Sequence, residues 1–457
     1  MPPRKVLFRR MRFWWHILTA YSNRYKLWFL AITLIISLSF LTINKLWYKI
    51  SKNNTVSIGY VGVYSLESLP TDVLSLATQS LISKDKEGNP TPSLASYWTV
   101  SEDGKTYVVF LKDNLKWHDS TVVDAKDISI AIKAVKIAAL NNKTLEFKLP
   151  NPIASFPLVL DKPVFKTKTF YGTGIFRIVG IDEKDGMVKR INLISKEKNL
   201  PAVEIKFYQT ETQAIDALKI GEIKIAQVAN AQNLQGWPNL DVKKSVDNSE
   251  IVTLFYNTSD PFLSSKDVRQ ALGFSINRSD FDGQAATGPI SPGSWAYNDS
   301  LKRYDYNLAK AKSLISKLEV KSQRVILSVS PGLETVAQNI KKDWEVIGVE
   351  TILKLEKTVP QDFQILLAVD KLSPDPDQYA LWHSTQEATN ITKYKNVKID
   401  KLLEDARTIK DQQKRKEYYF DFQRFLTEDA PATFLYHPYR YKITYKNIDQ
   451  LYKKLPM

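Results

Sequence analysis

Three adjacent residues, Trp117, His118 and Asp119, are the first in the chain whose types and spacing could do chemistry. An imidazole beside a carboxylate could act as a general base, or the two side chains could bind a metal ion. Neighbouring residues seldom converge on one ion unless their loop is distorted. The sequence favours the alternative, in which the pair satisfies backbone groups at the end of a strand.

Other signals for catalysis or metal binding are weak. The remaining histidines, His16, His383 and His437, are widely separated and do not form the paired spacing of metalloproteases. The chain contains no G-x-S-x-G elbow, no G-x-x-x-x-G-K-S/T loop, no G-x-G-x-x-G turn and no cysteine. We therefore predict that the protein is not an enzyme and that it has no catalytic residue, no metal site and no cofactor.

The charge of the chain raises the question of nucleic-acid binding. The 457 residues have a formal net charge of +15. The first fifty residues include nine basic residues and no acidic residue, so the rest of the chain has a net charge of only +6. No basic and aromatic module of a known nucleic-acid-binding type follows. This distribution argues against nucleic acid as a partner.

A membrane anchor accounts for the basic N-terminus. Residues 27–43 form an apolar run that no charged residue interrupts, and its length is close to the ~20 residues that span a bilayer. We predict cytoplasmic residues 1–26, a transmembrane anchor at 27–48 and a spacer at 49–54, with the bulk of this single-pass protein outside the cell membrane. A cleaved signal peptide is the alternative, but no small-x-small site follows the run. A buried core helix would not need such one-sided charge.

The soluble part indicates an α/β fold. A strand is predicted from residue 55, and alternating apolar residues after Asp103-Gly104 predict a hairpin. The sequences RVILSV and VETILKL flank a helical pattern that includes Ile340 and Trp344, which predicts two parallel strands joined by a helix. Further helices are predicted between Thr210 and Gly221, after Ser265, and before Pro431.

The segment around Trp117 reads PSLASYWTVSEDGKTYVVFLKDNLKWHDSTVVDAKDI, and it resembles a pattern of extracellular solute-binding protein family 5, the peptide-type binding proteins of ABC importers. Further segments resemble that family in the same order, from about residue 55 to 440: YGTGIFRI, LFYNTSDPFLSSKDVRQALGFSINR, YDYNLAKAKSLI, AQNIKKDWEVIGVET, SPDPDQY, NVKIDKLLEDAR and RKEYYFDFQRFLTEDAPATFLYHP. The ordered series makes a chance match improbable.

This resemblance implies a two-lobed α/β fold of the type II periplasmic-binding-protein kind. Lobe 1 would comprise residues 55–250 completed by 431–457, and lobe 2 would comprise residues 255–430. The lobes would close around an oligopeptide or other small solute and deliver it to the permease subunits of an ABC importer, with no covalent change.

In that family the Trp-His-Asp region is framework, so the resemblance implies that it fixes a loop. The alternative function is a structural or sensory ectodomain that keeps the fold but does not transport. The third hypothesis is a hydrolase built on His118 and Asp119, but the sequence provides no nucleophile for it.

The chain departs from the family pattern at several positions. Ser120 replaces a glycine, Ile175 replaces a proline, and Asn277 replaces an aspartate. The region from Ile132 to Thr144 is short, so we expect a trimmed accessory subdomain in lobe 1. These differences leave the identity of the ligand open.

Five residues are candidates for contact with the ligand: Tyr256, Asn257, Trp295, Asp370 and Asp375. In peptide-binding relatives an acidic residue before the Asp-Pro pair holds the amino group of the ligand, often after a tryptophan. Asp370 has altered spacing and no tryptophan before it, so a structural role at a strand end is the alternative. Asp375, like Asp377, could instead cap the helix that follows.

Overall fold

The computed structural model describes residues 13–16, 54–85, 88–317, 323–373, 375–453 and 455. The anchor predicted at residues 27–48 lies outside these ranges. Within them, no helix combines the length and the apolar character that crossing a membrane requires. The described chain mixes strands and helices, as the sequence predicts for an α/β protein.

The strands are β1 (Thr55–Val61), β2 (Ile82–Lys84), β3 (Pro90–Pro92), β4 (Ala95–Val100), β5 (Thr106–Leu111), β6 (Ile128–Ser129), β7 (Lys136–Asn141), β8 (Thr144–Lys148), β9 (Phe165–Lys166), β10 (Phe176–Lys184), β11 (Met187–Ser195), β12 (Ala202–Tyr208), β13 (Ile225–Val228), β14 (Leu240–Val246), β15 (Glu250–Tyr256), β16 (Gly283–Ala285), β17 (Gln323–Val329), β18 (Val349–Leu355), β19 (Ile365–Lys371) and β20 (Ala432–Tyr445). The helices are α1 (Thr71–Ala77), α2 (Phe156–Val159), α3 (Glu211–Lys219), α4 (Lys266–Ser275), α5 (Leu308–Ile315), α6 (Glu334–Val346), α7 (Tyr379–Trp382), α8 (Val397–Thr408), α9 (Gln412–Asp429) and α10 (Asp449–Tyr452).

The largest sheet has the order β10-β11-β12-β1-β13-β20-β15-β19-β17-β18, and β14 and β16 also pair with β20. The first half is parallel around β1, where Thr55 lies opposite Ala202 and Ile58 lies opposite Ile225. The long strand β20 pairs with β15 through residues 432–436 and with β14 through residues 439–445. This final strand therefore ties the two halves of the sheet together.

The second half of the sheet contains the predicted strand, helix and strand. Strands β17 and β18 run parallel, and α6 lies between them in the chain. Ile340 and Trp344 of α6 are fully buried in the same cluster as Val325 and Leu327 of β17. Strand β19 also runs parallel to β17, so the prediction of a buried parallel unit is confirmed.

A separate four-stranded sheet has the order β4-β5-β8-β7. The predicted hairpin is confirmed, since β4 and β5 pair antiparallel across a turn in which Gly104 has a φ of 69°. The core beneath it includes the fully buried rings of Trp117, Phe147 and Phe156. Between residues 132 and 144 the chain forms only turns and β7.

Helix ends follow the sequence signals in most cases. The Thr210 hydroxyl accepts a hydrogen bond from the Gln213 amide at 3.3 Å and caps α3. Helix α9 ends at Ala430, whose left-handed φ of 48° turns the chain out of the helix before Pro431. Ser265 occupies the N-cap position of α4, but the predicted serine cap is not formed because its side chain makes no capping hydrogen bond.

Candidate ligand-binding cleft

A cavity of about 1210 Å³ separates two parts of the chain. One wall comes from α1 and its following loop, from β2 and from residues 153–163, and the other wall includes Ser249, Ser373, Asp375, Asp377 and Arg407. The second wall consists of the start of β15, the loop after β19 and the end of α8. The cavity is therefore a cleft between segments that are far apart in sequence.

Serine and threonine side chains dominate the polar lining of this cleft. Nine lining residues carry a hydroxyl group, among them Ser75 and Thr78 on one wall and Ser249 and Ser373 on the other. Hydroxyl groups both donate and accept hydrogen bonds, so such walls can adapt to the polar atoms of different solutes.

A second cavity of about 220 Å³ shares lining residues with the first and adds Trp295. The Trp295 ring packs edge-on against Tyr419, with ring centres 5.9 Å apart, and the Arg415 guanidinium lies 5.3 Å from its centre. Trp295 is thus held in place by its neighbours while it lines this cavity, and its contact with a ligand stays a prediction.

Asp375 lies on the wall of the larger cavity and is only 9% exposed. Its Oδ1 accepts a hydrogen bond from the Asp377 amide at 2.9 Å and lies 3.5 Å from Arg415. Its Oδ2 is buried and has no hydrogen-bond partner among the described residues. Burial raises the pKa of this carboxyl, while Arg415 opposes the rise. The residue lines the cavity, but its unpartnered Oδ2 is covered in this structure, so a ligand reaches this atom only after a small movement of the wall.

The neighbouring Asp377 contacts the start of α7 but is not its N-cap residue, which is Gln378. Its Oδ1 accepts from the amide of Tyr379, the first residue of α7, at 3.0 Å, and its Oδ2 accepts from Nε of Arg407 at 2.9 Å. The Arg407 guanidinium also lies 4.3 Å from the centre of the Tyr379 ring. Asp377 therefore fixes the orientation of the arginine that lines the cleft.

Asp370 lies near the end of β19, opposite Ile251 of β15. It does not line either of these two cavities, although Leu372 and Ser373 just beyond it do. Burial raises the pKa of its carboxyl to about 6. Asp370 is thus half-buried and lies two residues along the chain from the cleft lining.

Tyr256 and Asn257 lie at the far end of β15 from Ser249, roughly 20 Å away along an extended strand. The Tyr256 ring is fully buried and its hydroxyl lies 2.8 Å from Oγ1 of Thr433. Asn257 donates through Nδ2 to the carbonyl of Phe363 at 3.1 Å. The expectation that both face the cleft does not agree with this placement, because β15 meets the cleft with its other end.

The Trp117-His118-Asp119 segment forms a set of framework contacts. The His118 ring is buried, its Nδ1 accepts from the Gly172 amide at 3.2 Å, and its Nε2 bonds to the Gly174 carbonyl at 2.9 Å. Burial lowers the pKa of His118, which favours the neutral imidazole. Both ring nitrogens are therefore engaged by the backbone, as the structural interpretation predicts.

The Asp119 carboxylate has hydrogen-bond partners of its own, separate from those of the His118 ring. It accepts from Nζ of Lys166 at 2.7 Å and from the Thr121 hydroxyl at 2.6 Å. The hydrogen bonds from Lys166 and Thr121 lower its pKa to about 2. The GTG sequence at 172–174 belongs to the same framework, since a Cβ on Gly172 would lie 2.2 Å from the Ala77 carbonyl oxygen.

Arg407, Lys84 and the cleft hydroxyls were not identified from the sequence. They lie on helices, on the short strand β2 and in loops, where their polar residue types resemble any other polar surface, and their association depends on the tertiary fold. The signal that could have pointed to them is their proximity to the Asp375-Pro376-Asp377 motif and to the ends of predicted strands.

The family described as "Bacterial extracellular solute-binding proteins, family 5 Middle" matches residues 89–136 and 129–390. The chain is similar to the oligopeptide-binding protein AppA of Bacillus subtilis, with 24% identity over 85% of each chain. It is also similar to the probable D,D-dipeptide-binding periplasmic protein DdpA of Escherichia coli, with 25% identity over 78% of this chain and 80% of that one.

Solved structures share the fold. AppA from Bacillus subtilis, in complex with a nonapeptide, has a TM-score of 0.68 and 22% identity, and the match covers 86% of this chain and 94% of that one. NikZ from Campylobacter jejuni, in complex with Ni(L-His), has a TM-score of 0.70 and 22% identity over 86% and 94% of the two chains. The described chain therefore has the mixed α/β fold of two-lobed periplasmic binding proteins.

Proposed function

The chain belongs to the bacterial extracellular solute-binding proteins of family 5, and from this premise we propose that it captures peptides or similar small solutes outside the cytoplasm for an ABC importer. The proposal draws on relatives whose names give oligopeptides and dipeptides as ligands. Binding followed by delivery to permease subunits is the whole activity, with no covalent change to the solute.

The single observation that carries the proposal is the cleft of about 1210 Å³ with walls from both parts of the chain. A ligand favours a closed state only through contacts that it makes better in that state than in the open one. Side chains on opposite walls, such as Ser75 and Ser373, supply contacts of this kind. The volume also suits a solute larger than one amino acid.

Asp375 is the leading candidate for a direct polar contact with the ligand. Its unpartnered Oδ2 is covered in this structure, and a small movement of the wall would offer it as a charge-assisted acceptor to an amine or amide of the solute. Trp295 supplies an apolar surface in the adjoining cavity. Asp370, two residues before Leu372 of that cavity, is a second candidate for an amine.

Two further parts of the proposal come from the sequence. Residues 27–48 anchor the protein in the cell membrane, with residues 1–26 in the cytoplasm. Lobe 1 comprises residues 55–250 completed by 431–457, and lobe 2 comprises residues 255–430. The permease would receive solute from the cleft between these lobes.

Mass spectrometry of small molecules released by denaturing the purified full-length chain would identify a retained ligand, and calorimetry would then measure its affinity. We expect Asp375→Asn to weaken binding by about ten- to a hundredfold, which corresponds to about 1.5–3 kcal/mol for a charge-assisted hydrogen bond. Asp362→Asn, on an exposed carboxylate that pairs with Lys393, is the matched control and should bind like the wild type.

Unchanged affinity in Asp375→Asn would remove this residue as an anchor while leaving the cleft in place. Absence of any retained solute, together with no heat from a peptide pool, would contradict capture itself. The remaining function would then be that of a structural or sensory ectodomain.

A further inference from the structure

The strand ends on one side of the largest sheet form a row, and the N-terminal end of β1 lies near the middle of that row. In the first half of the sheet β1 is the fourth of seven strands, in the order β10-β11-β12-β1-β13-β20-β14. Thr55 begins β1 opposite Ala202, and the Ala202 amide donates to the Asn54 carbonyl at 3.0 Å. The chain therefore enters the folded region at the centre of this row of strand ends, which we call the tether edge.

Four exposed apolar side chains lie along the tether edge, on both sides of β1. Ile175 precedes β10, Ile194 lies at the end of β11, Ile220 follows α3, and Trp237 precedes β14. Their exposed fractions are 42%, 41%, 78% and 40%. Side chains of this size at the ends of several neighbouring strands form a row roughly 29 Å long, since the seven strands have six spacings of about 4.8 Å.

Exposed lysines lie among these apolar residues. Lys196 and Lys198 are in the loop between β11 and β12, Lys219 ends α3, and Lys446 follows β20. Three acidic residues lie near them: Glu197 is exposed between Lys196 and Lys198, Asp216 lies 3.8 Å from Lys219, and Glu222 lies 3.2 Å from Lys206. Because Asp216 and Glu222 offset Lys219 and Lys206, the remaining positive charge of the edge comes from Lys196, Lys198 and Lys446, less Glu197.

We propose that the tether edge rests on the surface of an anionic lipid bilayer. The inference depends on the anchor in the proposed function, because the spacer at 49–54 can extend by at most about 20 Å. Isoleucine and tryptophan side chains insert at the headgroup level, and lysines are attracted by anionic headgroups. A surface with both, directly at the point where the tether enters, orients the folded region on the membrane.

Fluorescence quenching in vesicles tests this orientation with the full-length chain. The chain has no cysteine, so Ile220→Cys provides a single site for an environment-sensitive dye. Val397→Cys is the matched control, because Val397 is 85% exposed and begins α8 in the other part of the chain. Vesicles contain phosphatidylcholine with or without phosphatidylglycerol, together with a lipid that carries a nitroxide quencher on its headgroup.

We expect the nitroxide to quench the dye at 220 in phosphatidylglycerol vesicles and to leave the dye at 397 bright. Replacing Lys196 or Lys198 by glutamine should lower the ratio of docked to undocked chains by about fivefold for each lysine. Equal quenching at both sites, or quenching at 220 that does not depend on phosphatidylglycerol, would overturn the proposal. Dependence on the protein-to-lipid ratio instead would assign the edge to a second copy of the chain.

Flotation of the same vesicles separates this inference from the anchor. A chain that floats with the vesicles at high salt, but whose dye at 220 is not quenched, refutes the tether edge alone. A chain that does not float refutes the anchor and the tether edge together. Peptide capture is measured independently by calorimetry and stands apart from both outcomes.

Discussion

Replacing His118 by alanine should destabilise the fold without abolishing any turnover. The side chain is only 6% exposed, and its two ring nitrogens contact the backbone of Gly172 and Gly174. Because the Gly172 amide donates to Nδ1, Nε2 carries the proton and donates to the Gly174 carbonyl. Alanine removes both hydrogen bonds and leaves an amide and a carbonyl without their partners.

The magnitude follows from these two backbone groups. Each buried group that loses its partner costs about 1–3 kcal/mol, so the free energy of unfolding should fall by about 2–6 kcal/mol. For a cooperative unit of about 400 residues, this loss lowers Tm by about 2–7 °C. Asp119→Asn is the matched control, and it should lower Tm less because that carboxylate contacts Lys166 at the surface.

The loss should also depend on pH. Burial lowers the pKa of His118 below its ordinary value of 6.5. The unfolded chain therefore binds the proton more readily, and the stabilisation from the neutral ring is full above about pH 6.5 and falls as the pH drops below that value. Differential scanning calorimetry at pH 7.5 and 5.5 should show a smaller difference between wild type and His118→Ala at the lower pH.

Two results would refute this reasoning. An unchanged Tm would show that the ring does not hold the Gly172 loop. Peptide hydrolysis by the wild type that His118→Ala abolishes, with folding intact, would instead support the hydrolase interpretation.

Three further predictions concern other positions. Asp370→Asn should be more stable than wild type at pH 7 by at most about 3 kcal/mol in urea unfolding. The pKa of Asp370 is raised to about 6 in the folded state, so wild type loses stability as the pH rises from about 4 to 6. Equal stability of wild type at pH 4 and pH 7 would contradict this. Arg269→Met should cost about 3–5 kcal/mol, because the buried guanidinium donates to four backbone carbonyls, and a loss below about 1 kcal/mol would contradict the role. Gly172→Ala should lower Tm, because the added Cβ would lie 2.2 Å from the Ala77 carbonyl oxygen; an unchanged Tm would show that the loop has room.

The elements of the fold could be predicted where local signals decide them. The hairpin at Gly104, the strand, helix and strand around α6, and the end of α9 before Pro431 follow from turn residues and from apolar periodicity. These signals act over a few residues, so one sequence contains them in full. The framework role of His118 could also be anticipated, because no second metal-ligand or nucleophile signal accompanied it.

The cleft could not be predicted in the same way. Its lining joins residues near 75, 155, 249 and 375, and no local pattern relates serines at such distances in the chain. Tyr256 and Asn257 were expected to face the cleft, but they lie at the other end of β15, because the end that meets the cleft depends on how β15 pairs with β19 and β20. Asp375, with its neighbouring proline and aspartate, was the part of the lining that a motif could reveal.

The central claim is that a solute binds in the cleft, and blocking the cleft tests it most directly. Ser75 is an exposed residue of α1 that lines the cavity, and Ser313 is an exposed residue of α5 outside that lining. Calorimetric titration of the full-length chain with the solute released from it, or with a peptide pool, compares Ser75→Trp with Ser313→Trp. We predict that Ser75→Trp loses binding while Ser313→Trp keeps wild-type affinity. Equal binding by both variants would contradict the claim.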